Sequence, residues 1–87
     1  MQLNPKYILR EIAGETLLIS LSDISAPKKI LCLNELGKAI YLLLTEGKNE
    51  DEIIDSLLEE YDIDEATLRA DATEFLSILY NHGVLLK

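Results

Sequence analysis

Apolar and polar positions alternate along the first third of the chain and change period at Asn34. Residues 7–12, YILREI, are rich in strand-forming side chains. Residues 16–21, TLLISL, put Leu17, Ile19 and Leu21 on one face and Leu18, Ser20 and Ser22 on the other. Ala13-Gly14-Glu15 lies between them as a short turn, with its Gly free to take positive φ, so the two runs form a hairpin. Residues 22–27 form a loop that ends at Pro27, and 28–33, KKILCL, form a third strand.

From Asn34 onward the apolar positions follow a helical period. Asn34 can accept from the free amides of a first turn, which starts a helix running to about Thr45. Leu36, Ile40, Leu43 and Leu44 share its stripe, and Gly47 stops it. Asn49 caps a second helix, whose Asp51 and Glu52 suit the positive end of its dipole. Ile53, Ile54, Leu57, Leu58 and Tyr61 are its apolar face. Asp64 caps a third helix that ends at Gly83 with His82 in its last turn, and a short extended tail follows. Strands first and helices after, with short connections, predict one α+β domain over residues 1–87. Its expected form is winged helix-turn-helix-like, with an N-terminal three-stranded antiparallel sheet followed by three helices.

Charge changes what such a fold can do. Winged helices commonly read DNA, but this chain carries −8, and residues 39–87 hold twelve carboxylates against Lys48, Arg69 and Lys87. Phosphate binding needs clustered cations, so nucleic acid is a poor partner. At 48% apolar the chain should fold rather than stay disordered. Cys32, the one cysteine, offers neither a disulfide nor a metal cluster. No apolar run reaches the ~20 residues that span a bilayer, and MQLNPK does not read as a signal peptide. A cytoplasmic protein without metal or cofactor is expected.

Catalytic signals are weak. His82 lies in a helix's last turn, where the dipole favours a cation in any case. No Ser or Cys sits in a nucleophile motif, and the many carboxylates lie on helix surfaces, where solvated charge is the usual explanation. Asp55-Ser56-Leu57 matches the Asp-Ser-Leu of acyl carrier proteins. In those the Ser opens a helix, whereas Ser56 falls within DEIIDSLLEEY, and a three-residue match is weak.

The third strand is more informative. Lys28 and Lys29 can be guards against edge aggregation. The same strand can also be an edge left open, where Ile30, Leu31 and Cys32 offer backbone groups to an incoming peptide. The third helix would wall that edge. Leu68, Ala72, Phe75 and Leu79 form its core stripe, and Leu33 and Ile40 join them in the expected core. Arg69, Thr73, Leu76 and Tyr80 form the next stripe round, while Thr67, Asp71, Glu74 and Ile78 form an acidic opposite flank. The stripe with Arg69, Leu76 and Tyr80 is the expected peptide-facing surface, with Ala72 at its border.

Taken in order, Leu33-Asn34, Gly37, Gly47, Glu52-Ile53, Tyr61-Asp62, Asp71, Phe75-Leu76 and Gly83-Val84 follow the pattern of the PqqD family, the RiPP recognition elements. PKYILREIAGETLLI resembles the family's first hairpin, and the loop at 22–27 departs from it in being short. The resemblance covers nearly the whole chain. It implies a non-catalytic adaptor that binds the leader of a ribosomally made precursor peptide. The leader would add as a strand to the third strand, in the groove against the third helix. The adaptor would then present the peptide to a modifying enzyme, often a radical iron–sulfur maturase. The identity of the leader and of the enzyme stays open, as does dimerisation through the open edge. The competing readings are a winged-helix transcription regulator and, less well supported, a carrier protein.

Overall fold

The computed structural model describes residues 2–21 and 30–86. Among them the elements run β1 (Gln2–Leu3), β2 (Tyr7–Ile12), β3 (Glu15–Ser20), β4 (Ile30–Leu33), α1 (Glu35–Thr45), α2 (Glu50–Glu60), α3 (Glu65–Asn81) and β5 (Leu85–Leu86). The expected sheet of three antiparallel strands followed by three helices is present, with strand order β2-β3-β4. Lys28, Lys29 and the loop at 22–27 lie outside the described residues. The third strand is therefore described from Ile30 onward.

Ala13 and Gly14 take φ of 53° and 82°, and Ile12 pairs with Glu15 across them. Two residues with positive φ make a type I′ turn, whose twist matches that of the strands it joins. Gly14 adopts this conformation freely, but Ala13 carries a Cβ that crowds it. Ala13→Asn should therefore raise stability by roughly 0.5–1 kcal/mol, read as an increased Tm. A lower Tm would mean that the turn is relaxed as it stands.

A two-residue hairpin also sets the parity of its ladder. The pair closing the turn exchanges both hydrogen bonds, and such pairs then alternate with non-bonded ones. From Ile12 and Glu15, the bonded pairs are Arg10 with Leu17 and Ile8 with Ile19. The Leu21 amide donating to the Lys6 carbonyl at 2.6 Å continues the series. The other β3 residues, Thr16 and Leu18, must direct their backbone groups to β4, where they pair with Leu33 and Leu31. It follows that Ile30 and Cys32 direct their N–H and C=O groups away from the sheet.

Side chains follow the same alternation. Leu18, Ser20 and Leu33 are buried on the inner face, which packs on the helices, whereas Ile30 and Cys32 are exposed. The helices close the core with Ile40, Ile53, Ile54, Leu57, Leu68 and Leu79, each at most 1% exposed. Every helix has a side-chain cap: Asn34 on the Gly37 amide, Asn49 in a capping box with Glu52, and Asp64 on the Thr67 amide. Tyr41 is buried in α1, and desolvation pushes its hydroxyl pKa up.

The chain ends meet in a small second sheet, β1 with β5, which the sequence pattern does not predict. Asn4 reinforces it by bonding the Gly83 carbonyl from its side chain (2.9 Å) and the Val84 carbonyl from its amide (2.8 Å). The Tyr7 hydroxyl donates to the His82 carbonyl at 2.7 Å. These bonds fix the C-terminal end of α3 relative to the hairpin, which sets how α3 lies beside β4. Among the described residues, no helix is long and apolar enough to cross a membrane.

Candidate functional site

Among the described residues β4 is paired on one side only, by β3. Beside its free edge runs α3. Leu31, Cys32, Leu33 and Asn34 face Phe75 and Ile78 across a depression of about 240 Å³. Past Asn34 it continues into a second depression of about 320 Å³, lined also by Leu36, Gly37, Ile40, Asp71 and Glu74. Asn34, Phe75 and Ile78 border both, so one groove runs from the strand edge to the start of α1. Its walls are apolar along β4 and acidic beside α1.

The strand-to-helix junction is what shapes this groove. Leu33 is buried on the sheet's inner face, the next residue caps α1, and the helix starts without a loop. The Asn34 side chain accepts from the Gly37 amide at 2.7 Å. Gly37 lets the Phe75 ring lie against the first turn, because a Cβ there would stand 3.0 Å from Phe75 Cε1 and 3.1 Å from Asn34 Oδ1. Gly37→Val should push the ring out and disturb the cap, costing about 1–3 kcal/mol in urea denaturation. No loss of stability would mean that the ring moves freely and does not form a rigid floor.

The flank of α3 that faces β4 is not the one expected from the sequence. Arg69 lies on the α2 side, bonded to Asp51 on α2 at 3.2 Å and to Glu65 one turn back at 3.1 Å. Bonds to Glu65 first and Asp51 second hold its guanidinium pKa above the ordinary value. Thr73 meets Glu50 of α2 at 3.4 Å, and Leu76 and Tyr80 border the α2–α3 cleft with it. Leu76 is 6% exposed and Ala72 1%, so both belong to the core. Phe75, expected in the core, is only half-buried and lines the groove. Of the ten expected peptide-facing residues, Ile30, Leu31 and Cys32 lie at the free edge and Lys28 and Lys29 are outside the described residues. Arg69, Ala72, Thr73, Leu76 and Tyr80 turn to α2 or the core.

The reason is packing between consecutive helices. Burial of Leu68, Ala72, Leu76 and Leu79 turns the Arg69 and Thr73 flank to α2, where Asp51 and Glu50 meet it, and leaves Asp71, Glu74 and Ile78 on the side of the groove. Ile78 is the one apolar residue on that flank, and a single exposed apolar side chain is common on any surface, so the sequence carries no distinct signal for the facing side. Ser56 of the carrier-like triplet lies in the middle of α2, not at a helix start. Among the described residues no cluster of three or more His, Cys, Asp or Glu could hold a metal ion.

The family model described as coenzyme PQQ synthesis protein D (PqqD) matches residues 15–85, from the start of β3 to the start of β5. The chain belongs to the PqqD family. Two solved structures share the fold of this PqqD-family chain over nearly its whole length. TbiB1, solved in complex with the TbiA(beta) leader peptide, is 30% identical, with a TM-score of 0.82 over 98% of this chain and 94% of its own. A lasso peptide synthetase B1, complexed with its leader peptide, is 17% identical, with a TM-score of 0.82 over 99% of this chain and 96% of its own. No curated protein matches the chain. The PqqD motif residues fall at structural points: Asn34 caps α1, Gly37 admits Phe75, and Gly83 has a φ of 75° after α3.

Proposed function

We propose that this PqqD-family chain is a non-catalytic adaptor that binds the leader segment of a ribosomally synthesised precursor peptide and presents it to a modifying enzyme. The leader adds as a strand along β4, in the groove between β4 and α3. The observation that carries this reading is the outward direction of the Ile30 and Cys32 backbone groups beside an apolar wall of Phe75 and Ile78. Free N–H and C=O groups supply affinity to any extended chain, and the wall supplies side-chain selectivity. The likeness to TbiB1, which was solved with a leader peptide, supports it. The whole chain, residues 1–87, acts as one such domain in the cytoplasm, with no cofactor of its own, and the receiving enzyme supplies the chemistry. A radical iron–sulfur maturase is one candidate for that enzyme.

Preorganisation explains the welded junction. With Leu33 anchored and α1 starting at the next residue, the edge is held rigid, which lowers the ordering cost of binding a flexible leader. DNA reading is disfavoured by the same groove. Asp71 and Glu74 face it, and the one cation on α3, Arg69, is tied to Asp51 and Glu65.

The test is calorimetry with the leader of the precursor encoded beside this gene. Saturable binding with a weak salt dependence is expected. Arg69→Glu should leave affinity unchanged, because Arg69 turns away from β4. Loss of binding in Arg69→Glu would place the leader on the α2 side. A steep fall of affinity for duplex DNA with salt, and no leader binding, would instead favour the regulator reading.

A further inference from the structure

Resting on that strand-addition reading, we infer that the groove selects a peptide segment with a basic side chain two residues from an apolar one. The basic side chain lies against Asp71 and Glu74, and the apolar one against Phe75 and Ile78.

Among the described residues, the charges lining the groove are all of one sign. Asp71 and Glu74 border its α1 end, Glu35 lies in the adjoining first turn, and no described cation lines either depression. The cations on α1 and α3 are engaged elsewhere: Lys38 with Glu11, and Arg69 with Asp51 and Glu65. Asp71 and Glu74 are three residues apart on one helix face, so they repel each other mildly. Neither forms an ion pair among the described residues. Among the described residues, the positive end of α1 is the feature at the groove that would draw an anion, and it is already compensated. Asn34 accepts from the Gly37 amide, and Glu35 occupies the first turn.

Spacing links the two subsites. Glu74 and Ile78 are one helical turn apart, ~6 Å along the axis of α3. Alternate residues of an extended strand point to the same side ~6.6–6.8 Å apart. A peptide that lies in the groove along the axis of α3 would present residues k and k+2 to Glu74 and Ile78 nearly in step. Which comes first depends on the direction in which the strand runs. The acidic balance of the chain as a whole also speeds the encounter with a cationic segment.

The probe is a displayed library of random linear dodecapeptides, selected against the wild-type chain, Asp71→Lys/Glu74→Lys and Cys32→Pro. Circular dichroism first verifies that each variant is folded. The wild type should enrich Lys or Arg two positions from Leu, Ile, Val or Phe, and the charge-reversed variant should enrich Asp or Glu at that position. The best wild-type peptide, made synthetically, should lose about five- to thirtyfold in affinity on charge reversal, the ratio expected for one or two kcal/mol. Its Lys-to-Glu analogue should recover on the reversed variant. Apolar peptides with no charge preference, or the same preference with both proteins, overturn the inference. Strand addition still stands in that case if Cys32→Pro no longer holds the peptides. Peptides held equally by Cys32→Pro, or no enrichment at all, overturn both readings.

Discussion

Proline at Cys32 should abolish most peptide binding in a folded protein, whereas proline at Leu31 should cost the fold itself. The difference follows from the hairpin's parity. Leu31 pairs with Leu18 through backbone groups that point into the sheet, and Leu18 is fully buried. Proline removes the Leu31 N–H and leaves the facing carbonyl without its partner. An orphaned buried acceptor alone costs about 1–3 kcal/mol, before the pyrrolidine ring is accommodated. Cys32 is exposed and points its N–H outward, so its replacement leaves the β3–β4 ladder intact. The incoming strand then loses a hydrogen bond and meets the ring at the centre of the edge. Roughly tenfold or greater weakening is expected, measured by calorimetry alongside urea denaturation of each variant. Ile30→Pro should behave like Cys32→Pro, more mildly, because it stands at the start of β4. If Leu31→Pro binds and Cys32→Pro unfolds, the parity is inverted and the outward groups belong to Leu31 and Leu33.

This periodicity explains which parts of the structure the sequence discloses. The period-2 runs at 7–12 and 16–21 and the caps Asn34, Asn49 and Asp64 are local features, and each element starts within a residue or two of where they place it. The free edge at Ile30–Leu33 is not local in that sense, because it depends on β4 ending the strand order β2-β3-β4. The β1–β5 clip is not local either. Gln2 and Leu3 carry no pattern long enough to mark a strand. They pair with Leu86 and Leu85 because Asn4 and Tyr7 bond the chain just after α3. The facing flank of α3 is also non-local. Both flanks of a helix with a modest apolar stripe look alike until the neighbouring helix is placed. Here the acidic first turn of α2 takes the side with Arg69 and Thr73. The same local sequence read without α2 points to the flank that the structure turns to α2.

That rotation is testable in the most direct way, by exchanging the expected effects of two adjacent residues. Leu76→Ala should cost about 2–5 kcal/mol, since Leu76 is 6% exposed and truncation leaves a cavity between α2 and α3. Phe75→Ala should cost less, about half of the 3–5 kcal/mol typical of a fully enclosed Phe, because one side of its ring borders open groove. Binding should rank the other way. Phe75 contributes floor and aromatic contact to the groove shared by β4 and α1, so its removal should weaken the leader strongly. Leu76 does not line that groove, and at temperatures where Leu76→Ala stays folded its affinity should match the wild type. Urea denaturation gives the first ranking and calorimetry the second. A Phe75→Ala variant that is the less stable of the two and still binds the leader normally would return Phe75 to the core and the peptide to the Arg69 side.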